Sequence, residues 1–285
     1  MSSYLIGLVG SGIGPSLTPA LHEREADELG LRYLYRRLDL DTLPLPVGDL
    51  LAAARITGYR GLNITHPAKQ AVLPHLDECS TEAGALGAVN TVLFEPDGRA
   101  IGHNTDAPGF ATGLRRGLPG VPLDEVVLLG AGGAGSAVGH ALLGLGAGTV
   151  TVFDADRTRS VALAASLCDR FGADKARATT ELDLKTADGL VNATPIGMWT
   201  HPGLPLAARL LHNRLWVADV VYRPLETELI ATARALGCRV LTGGMMAVFQ
   251  AAQAFRLFTG QEPDADRMLR HFDLLVNGNG AYVHN

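Results

Sequence analysis

"EVVLLGAGGAGSAVGHALLGLG", residues 125–146, decides how the chain is read. An apolar run, a glycine turn and a long stretch of small residues follow one another. Apolar runs of this length, bounded by turn signals, read as buried strands of a parallel sheet. Gly130, Gly132 and Gly135 stand in GxGxxG register, with Gly133 beside them. Glycines so spaced allow a tight turn, close backbone approach to a pyrophosphate, and close helix–strand packing. The helix N-terminus that follows favours an anion. The spacing alone is weak in a chain with 34 glycines, so its context must carry it.

The next stretch supplies that context. "TVTVFDAD" (149–156) reads as a second strand ending at Asp154, 24 positions after Gly130. An acid that binds ribose is expected about 20 residues on. Asp154 and Asp156 also suit the cap of a helix over 157–171, and capping does not exclude binding. "GLVNAT", "LWVADVVY" and "CRVLTGG" read as further strands, and strands alternating with helices indicate a parallel sheet. The last part, "MMAVFQAAQAFRLFTG" and "ADRMLRHFDLLV", reads as two helices.

Before residue 106 the pattern is similar but looser. "YLIGLV" (4–9), "RYLYRRLDL" and "GLNIT" read as strands. Residues 16–30 read as a helix capped by Thr18, with Pro19 in its first turn and Gly30 at its end. "HPAKQAVLPHL" is a short helix opened by Pro67 and disrupted by Pro74. "GAVNTVLFE" and "RAIGHNTD" form a hairpin around "PDGR".

Composition narrows the partners. The net charge is −5 with no basic run, so nothing points to nucleic acid or an anionic membrane surface. No apolar run reaches the ~18 residues of a membrane helix, and the N-terminus has no basic n-region. Cys79, Cys168 and Cys238 are odd in number, far apart and in no CxxC pair. That argues against a disulfide framework and fits a reducing cytoplasm. His66, His103 and His201 read as loop residues, and nothing has metal-ligand spacing.

"GLNITHPAKQ" (61–70) is the other informative stretch. Lys69 falls in the first turn of its short helix, where a cation opposes the helix dipole. Its ordinary reading is a solvated surface lysine. Against that stand Asn63 and Thr65 at the end of the same strand, and the polar clusters of "AVNT" and "HNTD". A polyhydroxylated substrate needs such fixed donors and acceptors, because an unpaired hydroxyl in a closed site is costly.

"SLTP", "NITHPAKQ", "GAVNT", "GHNTD", "GAGGAG", "NATPIGM" and "MAVFQAAQAF" occur in this order along the chain. Together they resemble the shikimate dehydrogenase family across essentially its whole length. "GLNITHPxKQAVLP" and "VVYxPxETELxxxARALGC" look most like its NAD-dependent quinate/shikimate dehydrogenase branch. The resemblance implies an α/β chain with two domains. Residues 1–106 with 245–285 would bind a cyclohexane or cyclohexene carboxylate. Residues 107–244 would form a Rossmann-like NAD domain, with the C-terminal helices returning to the first. It further implies that Ser16 and Thr18 hold the substrate carboxylate. Asn63, Thr65, Asn90, Asp106 and Gln250 would bind its hydroxyls. Lys69 and Asp106 would be the catalytic pair, and Thr194 and Tyr222 would lie near the nicotinamide.

Two departures stand out. Biosynthetic members often have Ser-x-Ser where this chain has Ser16-Leu17-Thr18, and often a glycine where Met245 stands. The cofactor loop reads Asp154-Ala155-Asp156, where relatives using NADP often read Asn-Arg-Thr. NAD is therefore expected over NADP, although Arg157 and Arg159 remain able to turn toward a phosphate. Three readings stay open: oxidation of quinate or shikimate with NAD, reduction of 3-dehydroshikimate or an amino analogue, and a dinucleotide sensor without turnover. A monomer and a homodimer are equally compatible with the sequence.

Overall fold

The computed structural model describes residues 3–278, which fall into two compact units. The first comprises the chain up to Thr105 and again from Gln250; the second is Asp106–Phe249.

In the first unit, β1 (Ser3–Gly10), α1 (Thr18–Glu28), β2 (Arg32–Asp39), α2 (Val47–Ile56) and β3 (Gly61–Ile64) alternate. Then come α3 (Ala68–Ala71), β4 (Glu78–Cys79), α4 (Thr81–Leu86), β5 (Thr91–Phe94) and β6 (Ala100–His103). The sheet runs β2-β1-β3-β5-β6-β4, parallel at β2-β1-β3 and at β6-β4, antiparallel on both sides of β5. The expected β5–β6 hairpin closes over "PDGR", with Gly98 at φ +90°.

Thr18 does not cap α1. Leu17 holds the cap position with no side-chain bond, and Thr18 is the first helical residue. Ser16, one step further out, accepts the Thr18 N–H at 3.3 Å instead. Gly30 does end the helix, at φ +66°. His103 ends β6 rather than lying in a loop. α2 and α4 escape a sequence reading, being short and without a long apolar stripe.

The second unit begins with α5 (Asp106–Gly117). It continues through β7 (Glu125–Leu129), α6 (Gly133–Gly144), β8 (Thr149–Phe153), α7 (Arg157–Phe171) and β9 (Ala176–Ala178). It is completed by β10 (Gly189–Asn192), β11 (Trp216–Asp219), α8 (Glu228–Ala235) and β12 (Arg239–Leu241). Every strand pair is parallel, and the order is β12-β11-β10-β7-β8-β9. Renumbered within the unit, this is the 3-2-1-4-5-6 order of a doubly wound dinucleotide fold. The order reverses between β7 and β10, so the ligand crevice belongs at their C-terminal ends. The three-residue β9, Ala-Arg-Ala, has no β-branched residue to mark it, and α5 and α8 likewise went unread.

α9 (Gly243–Thr259) passes from the second unit into the first at residues 249–250, and α10 (Ala265–Gly278) follows. Within the first unit, buried Glu25 of α1 accepts two bonds from Arg267 of α10, at 2.9 and 2.6 Å, and one from the Asp264 N–H.

α1 also buries His22 completely, among the rings of Tyr33, Tyr35, Phe255 and Phe258. Nδ1 shares a 2.9 Å bond with the Tyr33 hydroxyl, and Nε2 has no partner among the described residues. Burial pushes the imidazole down from 6.5 to about 3. The unfolded chain therefore binds a proton here that the folded chain refuses. The contribution of neutral His22 is full above pH 6.5 and is lost as pH falls toward 3. The limiting slope is about 1.4 kcal/mol per pH unit. Urea midpoints measured from pH 7 down to pH 4 should fall more steeply for wild type than for His22→Gln; parallel curves would refute this.

Candidate functional site

In the first unit the polar residues at the ends of β3, β5 and β6 form one hydrogen-bonded chain. The Tyr35 hydroxyl donates to Asn63 Oδ1 at 2.6 Å. Asn63 Nδ2 donates to Thr91 Oγ1 at 3.0 Å and to the Asn90 carbonyl at 3.4 Å. Thr91 Oγ1 donates to Asn90 Oδ1 at 3.1 Å, which also accepts the Thr105 N–H at 2.8 Å. Asn90 Nδ2 donates to Thr105 Oγ1 at 2.9 Å, and that hydroxyl lies 3.4 Å from Gln250 Oε1. Burial raises the Tyr35 phenol well above its usual range, so it stays a donor. Asn63, Asn90, Thr91 and Thr105 are all buried, which makes unpaired groups here expensive.

Both amide protons of Asn63 are taken by protein oxygens, those of Thr91 and Asn90. Tyr35, Thr91 and Thr105 were not among the candidate residues. "GHNTD" contains Thr105, but nothing in the local sequence of β2 marks Tyr35, which is 28 positions from Asn63.

The other candidates for substrate binding and catalysis, apart from buried Asp106, are half-buried. Ser16 Oγ donates to Thr18 Oγ1 at 3.2 Å, so the two hydroxyls stand as a pair. Thr65 follows β3, and its N–H binds the Val9 carbonyl at 2.8 Å. Its methyl fills the space that a side chain at Gly10 would need. Lys69 is held through its backbone, its carbonyl accepting the Val89 N–H at 2.9 Å. α3 has only four residues, so Lys69 lies in its first turn and its last turn at once. The dipole argument for a functional lysine therefore carries nothing, and the polar surroundings must carry it. Asp106 directly follows Thr105, opens α5 and is buried.

In the second unit the glycine loop shows what each glycine is for. Gly130 has φ +95°, and a Cβ there would lie 2.7 Å from the Ala193 carbonyl oxygen, across the β7–β10 reversal. A Cβ at Gly135 would overlap the Gly130 carbonyl oxygen. Gly132 faces open space and caps α6 with no side chain, and Gly133 is the first residue of that helix. Tight turn, free approach and close packing are thus all present. The first backbone N–H groups of α6 are left for an anion, and the loop fits a dinucleotide.

Asp154 lies just beyond β8. Its Oδ2 accepts the Ala131 N–H at 2.7 Å and its Oδ1 the Asp156 N–H at 2.8 Å. Asp156 caps α7 by accepting the Thr158 N–H at 2.9 Å, and Arg159 reaches it at 3.5 Å. Asp156 caps α7, while Asp154 is pinned to the glycine loop by the Ala131 N–H. Beyond β10, Thr194 donates to Asn192 Oδ1 at 2.7 Å. The segment holding half-buried Tyr222 follows β11. Close by, Gly243 permits contact with the Val220 and Val221 carbonyls that any Cβ would block. The Met245 side chain packs against Gly113 and Gly117 of α5, whose lack of side chains makes room for it.

Burial pushes Asp219 up to about 6, although Thr227, Val221 and Asn192 all bond its carboxylate. The three cysteines are free thiols, and no His/Cys/Asp/Glu group suited to a metal occurs among the described residues. Among them, too, no helix is long and apolar enough to cross a membrane.

Comparison with known proteins covers nearly the whole chain. Residues 8–92 match the shikimate dehydrogenase substrate binding domain, and residues 246–271 the shikimate 5'-dehydrogenase C-terminal domain. The chain is 64% identical to the shikimate dehydrogenase (NADP(+)) of Streptomyces avermitilis, covering 99% of each. It is 50% identical to the quinate/shikimate dehydrogenase (NAD(+)) of Corynebacterium efficiens, over 95% of this chain and 98% of that one. The quinate dehydrogenase from Corynebacterium glutamicum, solved in complex with NAD, superposes with a TM-score of 0.89 at 48% identity. That match covers 95% of this chain and 98% of the other. A glycine loop that fits a dinucleotide and relatives of this similarity lead to one conclusion: the chain belongs to the shikimate dehydrogenase family of oxidoreductases.

Proposed function

We propose that this chain oxidises a ring hydroxyl of quinate or shikimate, with NAD preferred over NADP. The Gly130–Gly135 loop, the α6 N-terminus and Asp154 hold the dinucleotide, with Thr194 and Tyr222 toward its other end. When bound, the nicotinamide supplies the hydride acceptor. The chain's own residues manage the rest. Ser16 and Thr18 hold the carboxylate. Thr65, Asn90 and Gln250 receive the hydroxyls, and Asn63 fixes Asn90. Lys69 and Asp106 serve as the catalytic pair, with Lys69 taking the hydroxyl proton.

The observation that carries the cofactor preference is Asp154. Two backbone N–H groups fix its carboxylate beside the glycine loop. It can accept from ribose hydroxyls, but it repels a 2′-phosphate. At ~4 Å and an effective dielectric near 20, each like-charge pair costs on the order of 4 kcal/mol before screening. Solvent and salt reduce this to a preference of roughly ten- to a hundredfold. Ala155 offers no cation, and Arg159 is engaged with Asp156. The second reading is reduction of 3-dehydroshikimate with NADPH. It draws on the name of the Streptomyces relative, and on Arg157 at the start of α7.

Lys69→Ala should lower kcat by ~10²-fold or more with the melting temperature nearly unchanged; kcat near wild type would remove Lys69 from the mechanism. Thr18→Ser should alter the ratio of kcat/KM for quinate to that for shikimate. The two differ at C1, and a lost contact there is worth ~1–3 kcal/mol. Equal scaling of both values would place discrimination elsewhere. For the cofactor, kcat/KM with NAD and NADP at one salt concentration should favour NAD. Asp154→Asn combined with Ala155→Arg should shift the ratio toward NADP. A wild type that uses NADP as well as NAD would overturn this reading of the cofactor loop.

A further inference from the structure

At the C-terminal ends of β10 and β11, Asn192 and Asp219 face each other in register, and both are buried. Asp219 Oδ1 accepts from Asn192 Nδ2 at 3.0 Å and from the Val221 N–H at 2.9 Å. Oδ2 accepts from Thr227 Oγ1 at 2.7 Å. Asn192 Nδ2 donates its other proton to the Ile196 carbonyl at 3.0 Å. Asn192 Oδ1 accepts both the N–H and the hydroxyl of Thr194, at 3.1 and 2.7 Å. Gly197, at φ +108°, closes the turn; a Cβ there would lie 3.3 Å from the Thr227 methyl.

The polarity of this network is determined from one end. A carboxylate has acceptors only, and here three donors converge on the two oxygens of Asp219. The negative charge fixes the flip of Asn192. The opposite flip would aim the amide oxygen at the Asp219 carboxylate and at the Ile196 carbonyl together. Given that flip, Asn192 presents an oxygen to Thr194, so the Thr194 hydroxyl proton is directed inward. Val221 passes the same constraint to the segment that leads into Tyr222.

We propose that Asp219 is a positioning residue for the cofactor. Through Asn192 it presets the Thr194 loop, and through Val221 the Tyr222 segment, for the nicotinamide end of the dinucleotide. This rests on the reading of the second unit as the dinucleotide site. It does not depend on which dinucleotide is preferred. Asp219 itself touches neither cofactor nor substrate.

The test is direct binding with purified full-length protein, using whichever of NADH and NADPH wild type binds more tightly, followed by nucleotide fluorescence. Asp219→Asn keeps the shape but replaces one acceptor with a donor. Its dinucleotide Kd should rise roughly tenfold or more, while the calorimetric Kd for shikimate without cofactor stays within about twofold. Amides of residues 193–198 should exchange faster in the ligand-free variant. Thr227→Val removes one donor at constant volume and should move the dinucleotide Kd the same way by a smaller factor, and Thr227→Ser should restore it. A folded Asp219→Asn with an unchanged dinucleotide Kd overturns the proposal. So does an equal loss of dinucleotide and shikimate binding, which marks a general structural role. Should Asp219→Asn fail to fold, an unchanged Kd in Thr227→Val overturns it instead. A wild type that binds neither dinucleotide overturns the cofactor reading, and this one with it.

Discussion

The carbonyl oxygen of Gly130 occupies the place that a side chain at Gly135 would need. Much of the second unit depends on that contact. It lets α6 start directly against the end of β7, which leaves the first N–H groups of the helix facing outward. The turn at Gly130 also presses on the carbonyl of Ala193, so the first residue beyond β10 is placed by the same loop. One stretch of backbone thus joins the two strands between which the sheet order reverses. Asp154 adds a third strand, its carboxylate bonded to Ala131 within the loop. A single methyl group at Gly135 would collide with the Gly130 carbonyl.

In the first unit the comparable role falls to side chains. Its sheet is mixed, with β5 antiparallel to both of its neighbours. Order comes from the buried chain of Tyr35, Asn63, Thr91, Asn90 and Thr105. A low local dielectric strengthens such bonds and makes any gap in them costly. Effective polar recognition needs rigidity more than it needs additional donors.

The contrast explains what could be read in advance. The glycine loop is legible because its geometry is local: spacing in sequence is spacing along one turn and one helix. The acidic end of β8 is legible for the same reason. Tyr35 and Asp219 are not, since their partners are brought to them only by the sheet. Local reasoning also went wrong where an element proved too short for the rule applied. Lys69 lies in a helix of one turn, which has no separate ends for a dipole to distinguish. Thr18 is inside α1 by one residue, so Ser16 receives its N–H. Three-residue β9 and the brief α4 carry too few residues for any periodicity to register.

The chain that begins at Tyr35 has a direction, since each hydroxyl has one proton to give. Tyr35 gives to Asn63, Asn63 to Thr91, and Thr91 to Asn90. Loss of the first donor does not leave a defect on β2, where the change is made. It leaves an acceptor without its proton on β3, at Asn63. The positions therefore cannot drift one at a time. Across relatives of this protein, the identities at 35, 63, 91, 90 and 105 should be inherited as a set.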